Sequence, residues 1–228
     1  YRTRPYEKSP GSAETLYRKW QDICCKSLIK GCSFHRFAQN ISHLVKDFDR
    51  LPLNKMERRP RIGIVGEIYV KFSPSLPMIS SAPSKPTAVK RKQAACWISS
   101  SMAFDSHFQW KHLDGTFSDN LKDTFGRYLL EWYRRPLEKA VKISKRFHEI
   151  TNITRLAKRA ARFLSLGNRA GEGWFLTADM TDLLHHGCRG IICLQPFGCL
   201  PNHITGEGMI HKLHMAYPEA VFLPLDCD

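Results

Sequence analysis

The sequence has no apolar run close to the roughly 20 residues of a membrane helix. Its longest apolar stretches, near 61–70 and 190–200, are only as long as strands. The first residues, Tyr1-Arg-Thr-Arg-Pro5, lack the apolar core of a secretory signal. None of the eight cysteines forms a C-x-x-C pair, which argues against a self-contained zinc finger. We therefore expect a cytoplasmic protein whose reduced thiols are buried, metal-binding or catalytic.

Positive charge is in excess: 35 Lys and Arg residues face 21 Asp and Glu residues, for a formal net charge of +14. Much of the excess lies in the stretch Arg134–Arg162. Three interpretations stay open: a solvated helix face, attraction for an anionic ligand such as a nucleotide-like cofactor, and nucleic-acid binding. No helix-turn-helix pattern, zinc module or RNP-type aromatic strand supports the third. Neither nucleic acid nor a membrane is therefore the expected partner.

Hydrophobic periodicity predicts an α/β fold. It predicts helices at 12–30, 34–50, 118–145, 153–164, 175–186 and 204–217, and strands at 61–67, 190–194 and 220–225. Right-handed crossovers would make these strands parallel. We therefore expect an N-terminal helical region, 1–58, and a Rossmann-like α/β subdomain, 59–228, with a parallel sheet flanked by helices.

An irregular segment at 73–117 interrupts the second region. It holds four prolines within the stretch Ser73–Pro86, and neither a helix nor a strand period emerges from it. A loop of this length is unusual within a compact domain. The sheet is therefore expected to be incomplete at this point.

One candidate site is the glycine-rich segment Gly167–Trp174, which leads into a predicted helix. Its three glycines permit close backbone approach to a ligand, and amide groups at a helix N-terminus favour an anion. The spacing matches neither a Walker loop nor the dinucleotide fingerprint. A structural turn and a binding loop both remain open.

The second candidate is Cys199, in a Gly/Pro-framed turn after a buried strand. Its thiol could be an iron–sulfur ligand, a nucleophile or inert, and a nucleophile could pair with His203. Cys193, inside the strand, is expected to be a buried apolar group. Electrostatic capping of a helix end is expected of two histidines, His185 and His186.

Three stretches together carry a family resemblance: Gly171-Glu-Gly-Trp174, Gln195-Pro-Phe-Gly-Cys-Leu-Pro-Asn-His203, and Tyr217-Pro-Glu-Ala220 followed by Asp226. They resemble the C-terminal part of acyl-CoA dehydratase activase-related proteins. These proteins belong to the 2-hydroxyglutaryl-CoA (2-hydroxyacyl-CoA) dehydratase and activase family. The resemblance covers most of residues 1–72 and 116–228, and its nine-residue stretch around Cys199 is the most specific part.

The resemblance implies Rossmann-like subdomains and a [4Fe-4S] cluster held by cysteines from different subdomains. In this family an ATP-hydrolysing activase passes one electron to the cluster, and a radical dehydration of a 2-hydroxyacyl-CoA follows. The resemblance implies that Cys199 is a metal ligand, the one ligand that carries over from the family. We expect Gly171, Gly173 and Asn202 to shape the cofactor pocket. No catalytic residue follows from the resemblance.

Two departures from the family limit what the chain could do alone. Segment 75–114 replaces an α/β stretch and looks like out-of-register coding that regains its frame near 110–113. The chain also stops at Asp228, before a further loop and helix of the family. We therefore expect a fragment without turnover, whose partners are the N-terminal ATPase and dehydratase-like modules and an acyl-CoA substrate. The alternative is a fold remnant or interaction domain that holds no cluster.

Overall fold

The computed structural model describes residues 3–55, 60–68, 70, 90–93, 111, 115–147 and 151–227. The chain forms two compact units. Unit 1 comprises residues 1–58 and 129–150, and unit 2 comprises residues 59–128 and 151–228. No helix in the described ranges combines the length and the apolarity that a membrane crossing requires.

Unit 1 is helical. It contains a short 3-10 turn at Arg4–Tyr6, helices α1 (Ser12–Lys30) and α2 (Phe34–Arg50), and the later part of α3 (Phe117–Ile143). Gly31 ends α1, and the Ser33 hydroxyl accepts the Arg36 amide to begin α2.

Side chains from all three helices hold unit 1 together. The Trp20 indole of α1 donates to the Asp47 carboxylate of α2 over 3.1 Å. The Phe34 ring of α2 stacks on Trp132 of α3 with 3.9 Å between centroids. Stacked aromatic pairs contribute packing energy beyond their buried area alone, so this half-buried pair stabilises the contact between α2 and α3.

Unit 2 is built on a parallel sheet. Its strands are β1 (Arg61–Gly66), β2 (Lys90–Gln93), β3 (Gly190–Pro196) and β4 (Val221–Cys227), in the spatial order β2-β1-β3-β4. Every neighbouring pair is parallel. The apolar, β-branched runs of β1 and β3 suit strands covered on their faces. The chain is therefore a mixed α/β protein with a parallel sheet flanked by helices.

Gly66, the last residue of β1, sets how closely two strands approach. Its φ is +138°, and a Cβ built there would lie 1.8 Å from the Leu194 carbonyl oxygen of β3. Only glycine tolerates both the backbone conformation and the contact. The sequence pattern of a short apolar run that ends in glycine thus marks a real junction at the sheet edge.

Three further helices belong to unit 2: α4 (Ile153–Ala160), α5 (Trp174–His185) and α6 (Ile210–Ala216). α5 is buried along nearly its whole length. One apolar cluster joins α5 and α6 to the sheet, and a second joins α4 to α5. The half-buried Leu164 packs against both clusters.

The sequence-predicted helices and strands are confirmed in kind wherever the structure describes them, with two differences in extent. The helix predicted at 153–164 ends at Ala160 and continues as turns. The helix predicted at 204–217 is three short pieces, described below. Apart from β2, Lys111 and residues 115–117, the predicted irregular segment and the proposed frameshift lie outside the described residues. The strand β2 was not predicted.

Candidate functional site

The carboxyl ends of β1, β3 and β4 meet at one edge of the sheet. The Glu67 amide, just past β1, donates to the Leu194 carbonyl over 3.2 Å. Two register positions after Leu194, Pro196 of β3 lies beside Cys227 of β4. In open α/β sheets ligands bind at this edge, so the turn that follows β3 is the candidate functional site.

Cys199 closes a tight turn after β3. Its amide donates to the Pro196 carbonyl over 3.1 Å, and Gly198 adopts a φ of +73°. Its own carbonyl accepts the amide of His203. The thiol is half-buried. A reactive or ligating sulfur needs such partial access, which a core cysteine lacks.

A π-helix, Asn202–Gly206, follows this turn, and a 3-10 turn, Glu207–Met209, leads on into α6. The Thr177 hydroxyl on α5 donates to the Thr205 carbonyl over 2.6 Å and ties the π-helix down. A Cβ at Gly206 would lie 3.1 Å from the Cys193 sulfur, so the absence of a side chain lets the π-helix lie against β3. Short π-helices recur at functional sites.

Asn202 is fully buried, and its amide nitrogen lies 3.0 Å from the Cys199 sulfur. An amide N–H donates and a sulfur accepts in this contact. Within the described part of the chain, the side-chain carbonyl oxygen of Asn202 has no hydrogen-bond partner. A buried amide satisfied only through a sulfur is costly, because an unmade buried hydrogen bond loses its solvation.

Gln195 organises the polar side of the same edge. Its side-chain nitrogen donates to the Glu207 and Asp226 carboxylates, each over 2.9 Å. His203 Nδ1 lies 3.1 Å from Glu207. The Gln195 amide, and after it His203, holds the pKa of Glu207 below its ordinary value. A buried amide thereby fixes two carboxylates beside the cysteine turn.

The glycine-rich segment reaches the same edge. A Cβ at Gly171 would lie 3.1 Å from the Pro201 ring, so this glycine borders the segment that follows Cys199. Gly173 has a φ of +50°, and a Cβ there would lie 2.2 Å from the Asn168 carbonyl oxygen. Between them, Glu172 accepts the amide of Ile68 after β1. The segment forms tight turns that join two parts of the edge.

The structure brings Gly171, Cys199 and Asn202 to one place, while Gly173 shapes the turn behind them. In the alternative of a nucleophile pair, Cys199 would contact His203. In the structure, His203 Nδ1 contacts Glu207, and the Cys199 sulfur contacts Asn202. As expected, Cys193 is buried, and that burial raises the pKa of its thiol to about 12. His186 caps α5 by donating from Nδ1 to the Asp182 carbonyl over 2.7 Å.

Sequence reasoning missed three residues of this edge. Gln195, Glu207 and Cys227 were not singled out as functional. A signal for Cys227 existed, because it stands at the end of a predicted strand in a predicted parallel sheet. Nothing in the spacing of Gln195 and Glu207 indicates that one would hold the other.

The residues at this edge suit one cluster ligand rather than a whole ligand set. Among the described residues, no group of three or more His, Cys, Asp or Glu side chains could hold a metal ion. A [4Fe-4S] cluster is ordinarily held by four thiolates. Cys199 offers one accessible sulfur with an N–H donor beside it, and Cys227 stands across the edge on β4.

Comparisons with protein-family models, with curated proteins and with solved structures find no match to this chain.

Proposed function

We propose that this chain is part of an iron–sulfur protein of the 2-hydroxyacyl-CoA dehydratase and activase type, in which Cys199 supplies one thiolate ligand to a [4Fe-4S] cluster. The observation that carries the proposal is the 3.0 Å contact from the Asn202 amide to the Cys199 sulfur, at the carboxyl edge of a parallel sheet. Hydrogen bonds to cluster sulfurs are among the ways a protein sets the cluster's potential.

The arrangement supports the resemblance because three residues of the stretch Gln195–His203 have a structural role at this edge. Gln195 fixes two carboxylates, Gly198 makes the turn, and Asn202 contacts the sulfur. In this proposal the sheet is a Rossmann-like subdomain. A cluster held there by Cys199 would supply a one-electron acceptor for an ATP-hydrolysing activase module. The reducing cytoplasm suits such a site.

In this proposal the remaining thiolates come from other modules of the same system, and so do the ATPase and the acyl-CoA site. The chain's own residues orient the sulfur and keep polar groups beside it. Gly171 and Pro201 border the segment that follows the sulfur, where a bulkier residue at position 171 would press on the proline ring.

The test is anaerobic reconstitution of the purified chain with iron and sulfide in the presence of a small thiol, which occupies the other iron sites. Iron and sulfide are counted and the visible spectrum is recorded. We expect the wild type to retain both after gel filtration in buffer that contains the same thiol, and Cys199→Ser to lose both. Cys24→Ser removes an exposed thiol of α1 and serves as the matched control, with retention unchanged.

Iron retention that is equal in the wild type and in Cys199→Ser would overturn the proposal. No retention by the wild type would also count against it, and would favour the interaction domain or fold remnant without a cluster. A parallel Cys227→Ser variant shows whether β4 supplies a second thiolate, because its loss would then lower retention as well.

A further inference from the structure

We infer that a group of cationic side chains at the amino edge of the sheet binds a small phosphate-bearing anion. The group surrounds the turn at Gly187 and is called the amino-edge patch below. Its members are Arg61, Arg155, Arg159, His185 and Arg189. The inference goes beyond the proposed function, because the patch lies at the opposite edge of the sheet from Cys199 and shares no residue with that site.

Two arginines of the patch come from the starts of neighbouring strands. Arg61 is the first residue of β1, and Arg189 directly precedes β3. The Arg189 amide donates to the Arg61 carbonyl over 3.3 Å. The Arg61 guanidinium lies against the turn that ends α5, because a Cβ built at Gly187 would be 3.2 Å from its Nη2. Side chains alternate along strands, so Arg189, opposite Arg61 in the register, belongs to the same face.

Two helices complete the patch. Arg155 and Arg159 stand one turn apart on α4, so they share a face of that helix. His185 is the last residue of α5 and is exposed. The positive charge of Arg159, followed by slight burial and the charges of His186 and Arg155, holds the pKa of His185 below its ordinary value. These cations therefore act on one point of the surface, where a bound anion would relieve their repulsion.

Carboxylates compensate only part of this charge. Asp182 forms an ion pair with Arg159 and lies 3.4 Å from His186, so it neutralises the part of the patch that it anchors. The Val221 amide of β4 donates to the Arg189 carbonyl, and the turn before β4 carries Glu219. Within the described part of the chain, three arginines form no ion pair with either carboxylate: Arg61, Arg155 and Arg189.

The chemistry of the patch favours phosphate. A guanidinium presents its N–H donors in a planar fork that matches phosphate oxygens, and it stays charged throughout the physiological pH range. Arg155 and Arg189 are exposed, whereas Arg159 is held in place by Asp182. A fixed cation beside open ones suits a ligand that carries two or more negative charges. The patch gathers the starts of two strands and the end of α5 beside one turn of α4, a compact arrangement that suits a small anion better than a nucleic-acid strand.

The experiment titrates the native full chain with inorganic pyrophosphate at fixed pH and ionic strength, and isothermal titration calorimetry measures the affinity. We expect one saturable site per chain. The NMR signals of the histidine rings locate it, with His185→Gln identifying the signal of His185. Saturating pyrophosphate should raise the pKa of His185, because a nearby anion favours the imidazolium.

Two variants each remove one exposed cation from the patch. Arg155→Gln and Arg189→Gln should each weaken pyrophosphate binding by about three- to tenfold, because each loses one charge-assisted contact at a solvent-exposed site. Arg135→Gln is the matched control, since it removes the same charge from an exposed position on α3 and should leave the affinity unchanged. Circular dichroism checks that the three variants keep the fold.

The inference is overturned if pyrophosphate shows no saturable binding, or if Arg135→Gln weakens it as much as the two patch variants do. Equal affinity in the wild type and both patch variants has the same meaning. A rise in the pKa of His185 that NaCl at the same ionic strength reproduces would reduce the effect to screening. A duplex oligonucleotide that binds where pyrophosphate does not would assign the patch to nucleic acid instead. Iron retention concerns the other edge of the sheet, so either proposal can fail while the other stands.

Discussion

Asp182, in the last turn of α5, is the charge on which three polar partners converge. Thr151 donates to it over 2.7 Å, Arg159 of α4 forms an ion pair with it, and His186 Nδ1 lies 3.4 Å from its other oxygen. Burial by itself would raise the pKa of Asp182. The hydrogen bonds from His186 and Thr151, with the charges of His186 and Arg159, outweigh burial and lower the pKa below its ordinary value of 3.8.

Asp182→Asn should lower the free energy of unfolding by about 1–2 kcal/mol near neutral pH, since the charge-assisted bonds become ordinary ones. The estimate is modest because a fifth of the side chain remains exposed to solvent. Chemical denaturation of the variant beside the wild type gives the value. Asp22→Asn, on an exposed pair with Lys26, should cost much less.

The same variant has a defined pH dependence. A carboxyl whose folded pKa lies below its unfolded value adds stability above the unfolded pKa, and loses that contribution as pH falls through the folded pKa. The gap between wild type and Asp182→Asn should thus be full above about pH 5 and narrow below about pH 4. Denaturation midpoints measured from neutral to acid pH would reveal it, and a gap that widens in acid would contradict it.

At the residue scale, the sequence indicated single candidate residues but did not predict which side chains contact each other. Cys199 could be found because a thiol in a Gly/Pro turn after a strand has no packing role. The contact of its sulfur with Asn202 depends on a π-helix, for which a single sequence carries no periodicity signal. The bridge from Gln195 to Asp226 joins residues 31 apart in the chain and depends on strand pairing.

Among the elements, α3 is the one whose sequence carries two residues that weaken helices. It runs through Gly126 and Pro136 without ending. The sequence still predicted one long helix, because the stripe that includes Phe125, Trp132 and Tyr133 keeps a helical period across Gly126. Periodicity over many residues outweighs a single unfavourable position.

Gly126→Ala should raise the free energy of unfolding by about 0.5–1 kcal/mol, because glycine costs that much in a helix interior relative to alanine. A Cβ at this position meets no atom within 4 Å. Thermal and denaturant unfolding followed by circular dichroism measure the effect.

Gly173→Ala is the opposing control. Its Cβ would lie 2.2 Å from the Asn168 carbonyl oxygen at a positive φ, so it should destabilise strongly. A loss of stability in Gly126→Ala would show that α3 makes a close approach at that point.

The sequence predicted which stretches are helices or strands, but not how one helical stretch is divided into α-, π- and 3-10 turns. The helix predicted at 204–217 becomes a π-helix, a 3-10 turn and α6, because the Thr177 contact and the small Gly206 bind this stretch to α5 and β3. These tertiary constraints override a helical propensity that remains real over Ile210–Ala216.

For the whole molecule, the order of strands was beyond the sequence. β2 and β4 lie at the two edges, and β1 pairs with β3 across 123 residues of chain between Gly66 and Gly190. Which strands pair depends on the crossover connections and on the helices that cover the sheet. Local hydrophobic periodicity carries no information about either. What could be predicted was that the strands at 61–67, 190–194 and 220–225 would be parallel members of an α/β sheet.

The net charge of +14 gives a prediction for the whole chain. Raising NaCl from about 0.05 M to about 0.5 M should raise the melting temperature, because salt screens repulsion among the excess cations. Scanning calorimetry at each salt concentration tests it, with glycerol-matched samples as a control for general stabilisation. A steady fall in melting temperature would mean that attractive ion pairs outweigh the repulsion.

Unit 1 is assembled from two separate pieces of chain, with residues 59 to 128 between them. During synthesis, α1 and α2 emerge well before Trp132, on which Phe34 will stack. At about 5–20 residues per second, those 70 intervening residues keep the helical pair waiting for several seconds. Until Trp132 has been synthesised, the Phe34 ring lacks the partner on which it stacks, and apolar surface exposed in this way makes a folding intermediate prone to aggregation.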